Sequence, residues 1–224
     1  MKRILFLLTL SLFLISCGLN YDGEERVLFE GKITDENGNP MPGVYVSAEA
    51  KLIYNGTFAP TYEDVVSFDH TDESGNFKML FPSPTNEDEI EVYVNFGEEN
   101  PMYSKTVFYN IQDENYENQR IDFGTISLYP TDESVLLTIS VENDFEHQII
   151  GWNLEGKVAE NFYNYSPTDV ASEIYFNYSS HNQVRKNQTI ILHYYYTYQN
   201  STEILENTSE IEIQNQPVNY EITF

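Results

Sequence analysis

Gly31-Lys-Ile-Thr-Asp-Glu-Asn-Gly-Asn-Pro-Met-Pro-Gly-Val-Tyr-Val46 begins as apolar-polar alternation, breaks into a polar run and resumes alternating. Asp35 to Asn39 supplies side chains that bond their own backbone and residues that tolerate positive φ, so the strand before it must reverse. Pro40 and Pro42 withhold two backbone donors, and Gly43 lets the chain bend into Val44, Val46 and Ala48. Thr71-Asp-Glu-Ser-Gly-Asn-Phe77 repeats the device ahead of Phe77, Met79 and Phe81. Both stretches predict strand corners of a small β-sandwich.

Working outward, apolar residues recur at every second position. Val27, Phe29 and Ile33 make a first strand, and Val44, Val46, Ala48 and Ala50 oppose Tyr45, Ser47, Glu49 and Lys51 on a second, which marks a sheet with one wet side. Further strands are predicted at 65–70, 77–81, 90–96, 103–109 and 121–128, and Asn55-Gly56 could cap a hairpin into Phe58 to Tyr62. Beyond Tyr129 to Glu133, a short Pro-containing linker, strands are predicted at 135–141, 173–178, 189–198, 209–213 and 218–224, with a short strand or turn over 149–154 and one helical turn over 158–163. The expected architecture is all-β, two sandwiches in tandem at 26–128 and 134–224, the second immunoglobulin-like by strand count and spacing.

The order of motifs in the first half, closed by Ile121-Asp-Phe-Gly-Thr-Ile-Ser-Leu128, resembles the carboxypeptidase regulatory-like domain, a transthyretin-like sandwich. The resemblance covers roughly residues 26–128 and departs from the family at 51–69, an enlarged loop or extra hairpin. It implies a fold and a supporting or binding role, with no catalytic residues to carry over.

The N-terminus carries an address. Met1-Lys2-Arg3 is basic, Ile4 to Ile15 is too short to span a bilayer, and Ser16-Cys17 ends the run, which is the pattern of a bacterial lipoprotein signal over residues 1–17. Cys17, the single cysteine, would be acylated and would hold the protein on a membrane at about 0.8 kcal/mol per buried CH2 group. Residues 18–25 then read as a polar tether. Asp22, Glu24 and Glu25 lie several residues past the cysteine, which favours the outward face of the outer membrane over the periplasmic one.

The chain holds 11 Lys and Arg against 36 Asp and Glu; without Lys2 and Arg3 the count is 9 against 36, a charge near −27. Such a surface repels phosphate backbones, which excludes nucleic acid as a partner, and it favours solubility and divalent cations. Oxygen ligands cluster at Asp69, Asp72 and Glu73 and in Asp35 to Asn39, candidates for Ca2+ that turn chemistry also explains. His70, His147, His181 and His193 are scattered, without zinc-peptidase spacing, and no nucleophile elbow or phosphate loop is present, so no enzyme is expected.

Aromatic clustering is the remaining signal. Leu192, Tyr194, Tyr196 and Tyr198 share one strand face, opposite His193, Tyr195 and Thr197. With Trp152 they are the candidate ligand-binding residues, because exposed coplanar rings stack against sugars, although cross-strand Tyr pairs also stabilise a half-solvated sheet. The expectation is a non-catalytic cell-envelope lipoprotein, a structural or binding accessory at the outer membrane whose partners are other envelope proteins. The alternative is a glycan-binding surface lipoprotein using the Tyr-rich face.

Overall fold

The computed structural model describes residues 21–52, 62–84, 89–96, 102–142, 146–164, 180–199 and 201–224. They form two β-sandwiches in tandem. The first contains β1 (Tyr21–Thr34), β2 (Tyr45–Leu52), β3 (Tyr62–His70), β4 (Asn76–Pro84), β5 (Glu89–Val94), β6 (Thr106–Ile111) and β7 (Arg120–Ser127). The second half supplies β8 (Ser134–Val141), β9 (His147–Glu155), β10 (Asn161–Asn164), β11 (His181–Arg185), β12 (Gln188–Tyr198), β13 (Leu205–Ile213) and β14 (Val218–Ile222).

In the first sandwich a sheet ordered β4-β1-β7 faces one ordered β10-β6-β5-β2-β3. The period-2 pattern sends Val27 and Phe29 of β1, Phe77, Met79 and Phe81 of β4, and Ile90, Val92 and Val94 of β5 into one buried cluster with Val46 and Ala48. Phe29 lies at its centre, edge-on to Phe81 with ring centroids 5.0 Å apart and also touching Phe123 and Tyr116. Burying each such ring contributes about 2–3 kcal/mol. The second sandwich sets β11-β8-β14 against β13-β12-β9 around Leu137, Ile139, Ile190, Leu192, Ile211 and Ile222.

Each sandwich is closed by a parallel pair of its first and last strands. β1 runs beside β7 from Leu28↔Arg120 to Thr34↔Ser127, and β8 beside β14 from Leu137↔Val218 to Val141↔Ile222.

The two turns are one device used twice. Asp35 Oδ1 accepts the backbone N–H groups of Asn37 and Asn39, each at 2.8 Å, and Asp72 Oδ1 accepts those of Ser74 and Asn76 at 2.8 and 2.9 Å. Gly38 and Gly75 stand at φ +80° and +79°, where a side chain would be strained.

Three expectations are corrected. The strand begins at Tyr21, so residues 21–25 are not tether; the Asp22 carboxylate folds back onto the N–H groups of Glu24 and Glu25. The helical turn over 158–163 is replaced by a bridge from Val158 to Val184 and by β10. The second sandwich also gains β11, which alternation did not mark. The signal over 1–17, the hairpin turn at Asn55-Gly56 with residues 58–61 after it, and the strand at 173–178 lie outside the described residues.

Candidate functional site

The tyrosines of β12 do not form an open platform. Tyr194 is 4 % exposed and its cross-strand partner Trp152 is 8 % exposed, both inside the core of the second sandwich. Tyr194 Oη accepts a hydrogen bond from Asn207 Nδ2 at 2.8 Å, which satisfies the hydroxyl where it is buried. Tyr196 is partly buried against the same cluster, and only Tyr198, at 48 %, faces solvent. Tyr196 and Tyr198 meet His147 and Phe224 in an aromatic group, with His147 stacked on Phe224 at 4.4 Å. The predicted sugar-stacking face is therefore corrected: Trp152 and Tyr194 are core residues. Alternation locates two faces of a strand but not which is inside, and on β12 Tyr195 of the opposite face is buried as well.

The calcium candidates serve the chain's own backbone. Asp69 Oδ1 and Oδ2 accept the N–H groups of His70 and Lys78, each at 2.8 Å, and Asp72 holds its turn as described. Hydrogen bonds from Asn76 keep the Asp72 carboxyl below the usual carboxylate range. Asp69 and Asp72 border an open groove of about 660 Å³ that also contains Lys32 and Lys78. Among the described residues no three His, Cys, Asp or Glu side chains are grouped to hold a metal ion, and Glu73 joins no such group.

The wet side of the first sandwich, the face to which alternation assigns Lys51, carries a polar constellation. Lys51 Nζ lies 2.6 Å from Glu91 Oε2 and donates to Tyr93 Oη at 3.1 Å, while Tyr93 donates to Glu91. Desolvation of the ammonium opposes its charge, but the bonds to Glu91 and Tyr93 prevail and raise the Lys51 pKa. Desolvation and the Glu91 contact push Tyr93 up to about 12. Beside it, Ser47 pairs with both Phe68 and Tyr93, and Phe68 is 63 % exposed against Tyr45. A carboxylate, an ammonium and a phenol tied to one another leave none of the three poised as an isolated base or nucleophile.

The most developed constellation lies between the sandwiches. β10, from the second half of the chain, adds in parallel to the β6 edge of the first sandwich, from Asn161↔Thr106 to Asn164↔Tyr109. The Tyr163 ring stacks on Phe108, centroids 4.9 Å apart and planes 14° off parallel. Immediately upstream, Ala159 N–H donates to Gln183 O at 2.6 Å and Arg185 N–H to Lys157 O at 2.9 Å, so the chain leaves a bond to β11 and enters one to β6 within a few residues. Across the same junction Arg185 reaches Glu36 in the first turn, Nη1 to Oε2 at 2.7 Å and Nη2 to Oε1 at 3.1 Å. The linker is held from both sides: Ser104 N–H donates to Tyr129 O at 2.7 Å, Thr131 N–H to Met102 O at 3.0 Å, and Lys186 N–H to Glu133 O at 2.9 Å. What this arrangement does is fix one sandwich against the other.

No family model matches the chain, and no curated protein does. Among solved structures it is similar to a 9R-lipoxygenase from Cyanothece, at 16% identity and TM-score 0.27, covering 55% of this chain and 20% of that one. The TIE protein of Bacillus anthracis matches at 14% identity and TM-score 0.29, over 88% of this chain and 33% of its own. The chain thus spans well under half the length of either. The shaft pilin SpaA of Lactobacillus rhamnosus GG matches at 10% identity and TM-score 0.31, covering 87% of this chain and 96% of that one.

Proposed function

We propose that this chain is a non-catalytic module of the cell envelope, held on the outer membrane by acyl chains on Cys17, whose two sandwiches act as one stiff body that supports or positions other envelope components. The first sandwich, on the motifs at Gly31 to Val46 and Thr71 to Phe77, is proposed to be of the carboxypeptidase regulatory-like kind. The observation that carries the reading is the junction: β10 hydrogen-bonded into the first sandwich, with Arg185 on Glu36 and Tyr163 on Phe108. A protein whose best-built contacts join its own halves is organised for geometry rather than turnover. The four described histidines accord with this: His193 is engaged by two carboxylates, His70 packs on Tyr45, His147 on Phe224, and His181 Nδ1 lies 2.7 Å from Ser180 Oγ.

The anchor is tested by feeding cells a labelled fatty acid and fractionating them. Label and protein should co-purify with membranes, and Cys17→Ala should lose the label and become soluble. An unlabelled parent, or membrane retention of the variant, would refute the anchor.

A further inference from the structure

The closing pairs of strands have a mechanical meaning. Tension applied between the N-terminal side of β1 and the C-terminal side of β14 enters the first sandwich at the start of β1 and leaves at the end of β7. Because these strands are parallel neighbours, the two pulls point in opposite directions along one axis, and the ladder from Leu28↔Arg120 to Thr34↔Ser127 is loaded in shear. Its six register pairs share the load, together with the flanking bonds from Leu28 N–H to Gln119 O and from Leu128 N–H to Thr34 O, each 2.9 Å. Had the end strands been antiparallel neighbours, both pulls would arrive at the same end and open the ladder one bond at a time.

The second sandwich repeats the arrangement. Load passes through residues 128–133 into β8 at Ser134 and leaves β14 after Ile222, shearing five register pairs and the bond from Glu142 N–H to Ile222 O at 3.0 Å. Between the sandwiches the covalent linker is not alone: β10 on β6 and Arg185 on Glu36 form a second connection beside it.

We propose that the chain is a load-bearing connector, built to transmit tension along its length without unfolding. This goes beyond the envelope role proposed above and does not depend on the acyl anchor, since a chain without lipid has the same two clamps. Forced unfolding is governed by the unfolding rate under load rather than by equilibrium stability, so topology rather than free energy sets the resistance.

The test is single-molecule stretching of the full chain made without lipid, with Cys17, the sole thiol, as one handle and a C-terminal tag as the other. Two further variants move the second handle. Glu117→Cys places it beside the N-terminal end of β7, so pulling from 17 and 117 unzips the first clamp. Asn215→Cys places it beside the N-terminal end of β14, so pulling from 17 and 215 shears the first clamp while unzipping the second. Both positions are exposed, and unchanged denaturant midpoints establish that the variants fold. The expected result is a rupture force severalfold higher in the end-to-end geometry, with only the second sandwich weakened in the 17/215 geometry. Equal forces in all three geometries would overturn the proposal, as would end-to-end unfolding at the unzipping force. Loss of membrane attachment in the Cys17→Ala experiment would bear on the anchor alone.

Discussion

Arg185 Nη1 and Glu36 Oε2 sit 2.7 Å apart, on side chains about four-fifths buried, and join positions 149 residues apart in the chain. The aligned hydrogen bond is the companion contact, Nη2 to Oε1 at 3.1 Å; the closer pair is ionic and lies outside hydrogen-bond alignment. Truncating one partner leaves the other charge partly desolvated, at a cost of about 1–3 kcal/mol. Removing both should cost less than the sum. A double-mutant cycle of Arg185→Ala and Glu36→Ala by denaturant unfolding should return a favourable coupling, and strict additivity would mean that the pair does not join the halves.

The only tryptophan, Trp152, lies in the second core, so its fluorescence reports that sandwich while far-ultraviolet circular dichroism reports both. If the junction couples them, the two signals should follow one denaturant transition in the parent chain. Tyr163→Ala removes the ring stacked on Phe108 and should separate the two transitions, with the fluorescence midpoint the less affected.

Burial orders the β12 tyrosines. Tyr194→Ala empties a core site and should cost about 3 kcal/mol, whereas Tyr198→Ala at the solvent edge should cost about 1 kcal/mol or less. Equal losses would contradict the packing described.

The twin turns make a matched pair of glycine tests. Gly38 has positive φ and open space around it, so Gly38→Ala should cost about 1 kcal/mol. Gly75 has the same φ, but a Cβ there would sit 2.3 Å from Ile33 O, backbone that cannot swing aside. Gly75→Ala should therefore cost about 3 kcal/mol, read as the shift in denaturant midpoint.

His193 Nδ1 lies 2.9 Å from Glu206 Oε1 and Nε2 3.2 Å from Glu155 Oε2. The bond to Glu206 is the largest cause, desolvation opposes it and the bond to Glu155 adds to it, so the His193 pKa is raised above the ordinary 6.5. A raised folded-state pKa means a contribution fully present below about pH 6.5 and lost as pH rises through the folded value. Asp35 and Asp72 titrate the other way: with lowered pKa values, their contribution is present above 3.8 and lost as pH falls through the folded values. The melting temperature should fall as pH rises above about 6.5 in the parent and less so in His193→Gln, and salt should shrink the difference.

Much of the fold was legible because its causes are local. The two turns sit where Asp-Glu-Asn-Gly-Asn and Asp-Glu-Ser-Gly-Asn demand them, and alternation at Val27 to Ile33 and Ile90 to Val94 marks buried faces correctly. The junction was not legible. β10 is four residues long, too short for a period to register, and its partner β6 lies more than fifty positions upstream. Glu36 looked like an ordinary turn acid, and only the fold brings Arg185 to it. Trp152 and Tyr194 were misassigned for a related reason: a strand rich in rings on both faces hides which face its neighbours will cover.

Because β10 completes the sheet of β2, β3, β5 and β6, the first domain is discontinuous in sequence, residues 21–128 plus 161–164. A fragment cut at the linker would strip β6 of its outer neighbour and leave the N–H and C=O groups of that edge open to any extended chain nearby. The first half made on its own should be prone to sticking edge to edge, a hazard that the intact polypeptide avoids by lending a strand from its own far end.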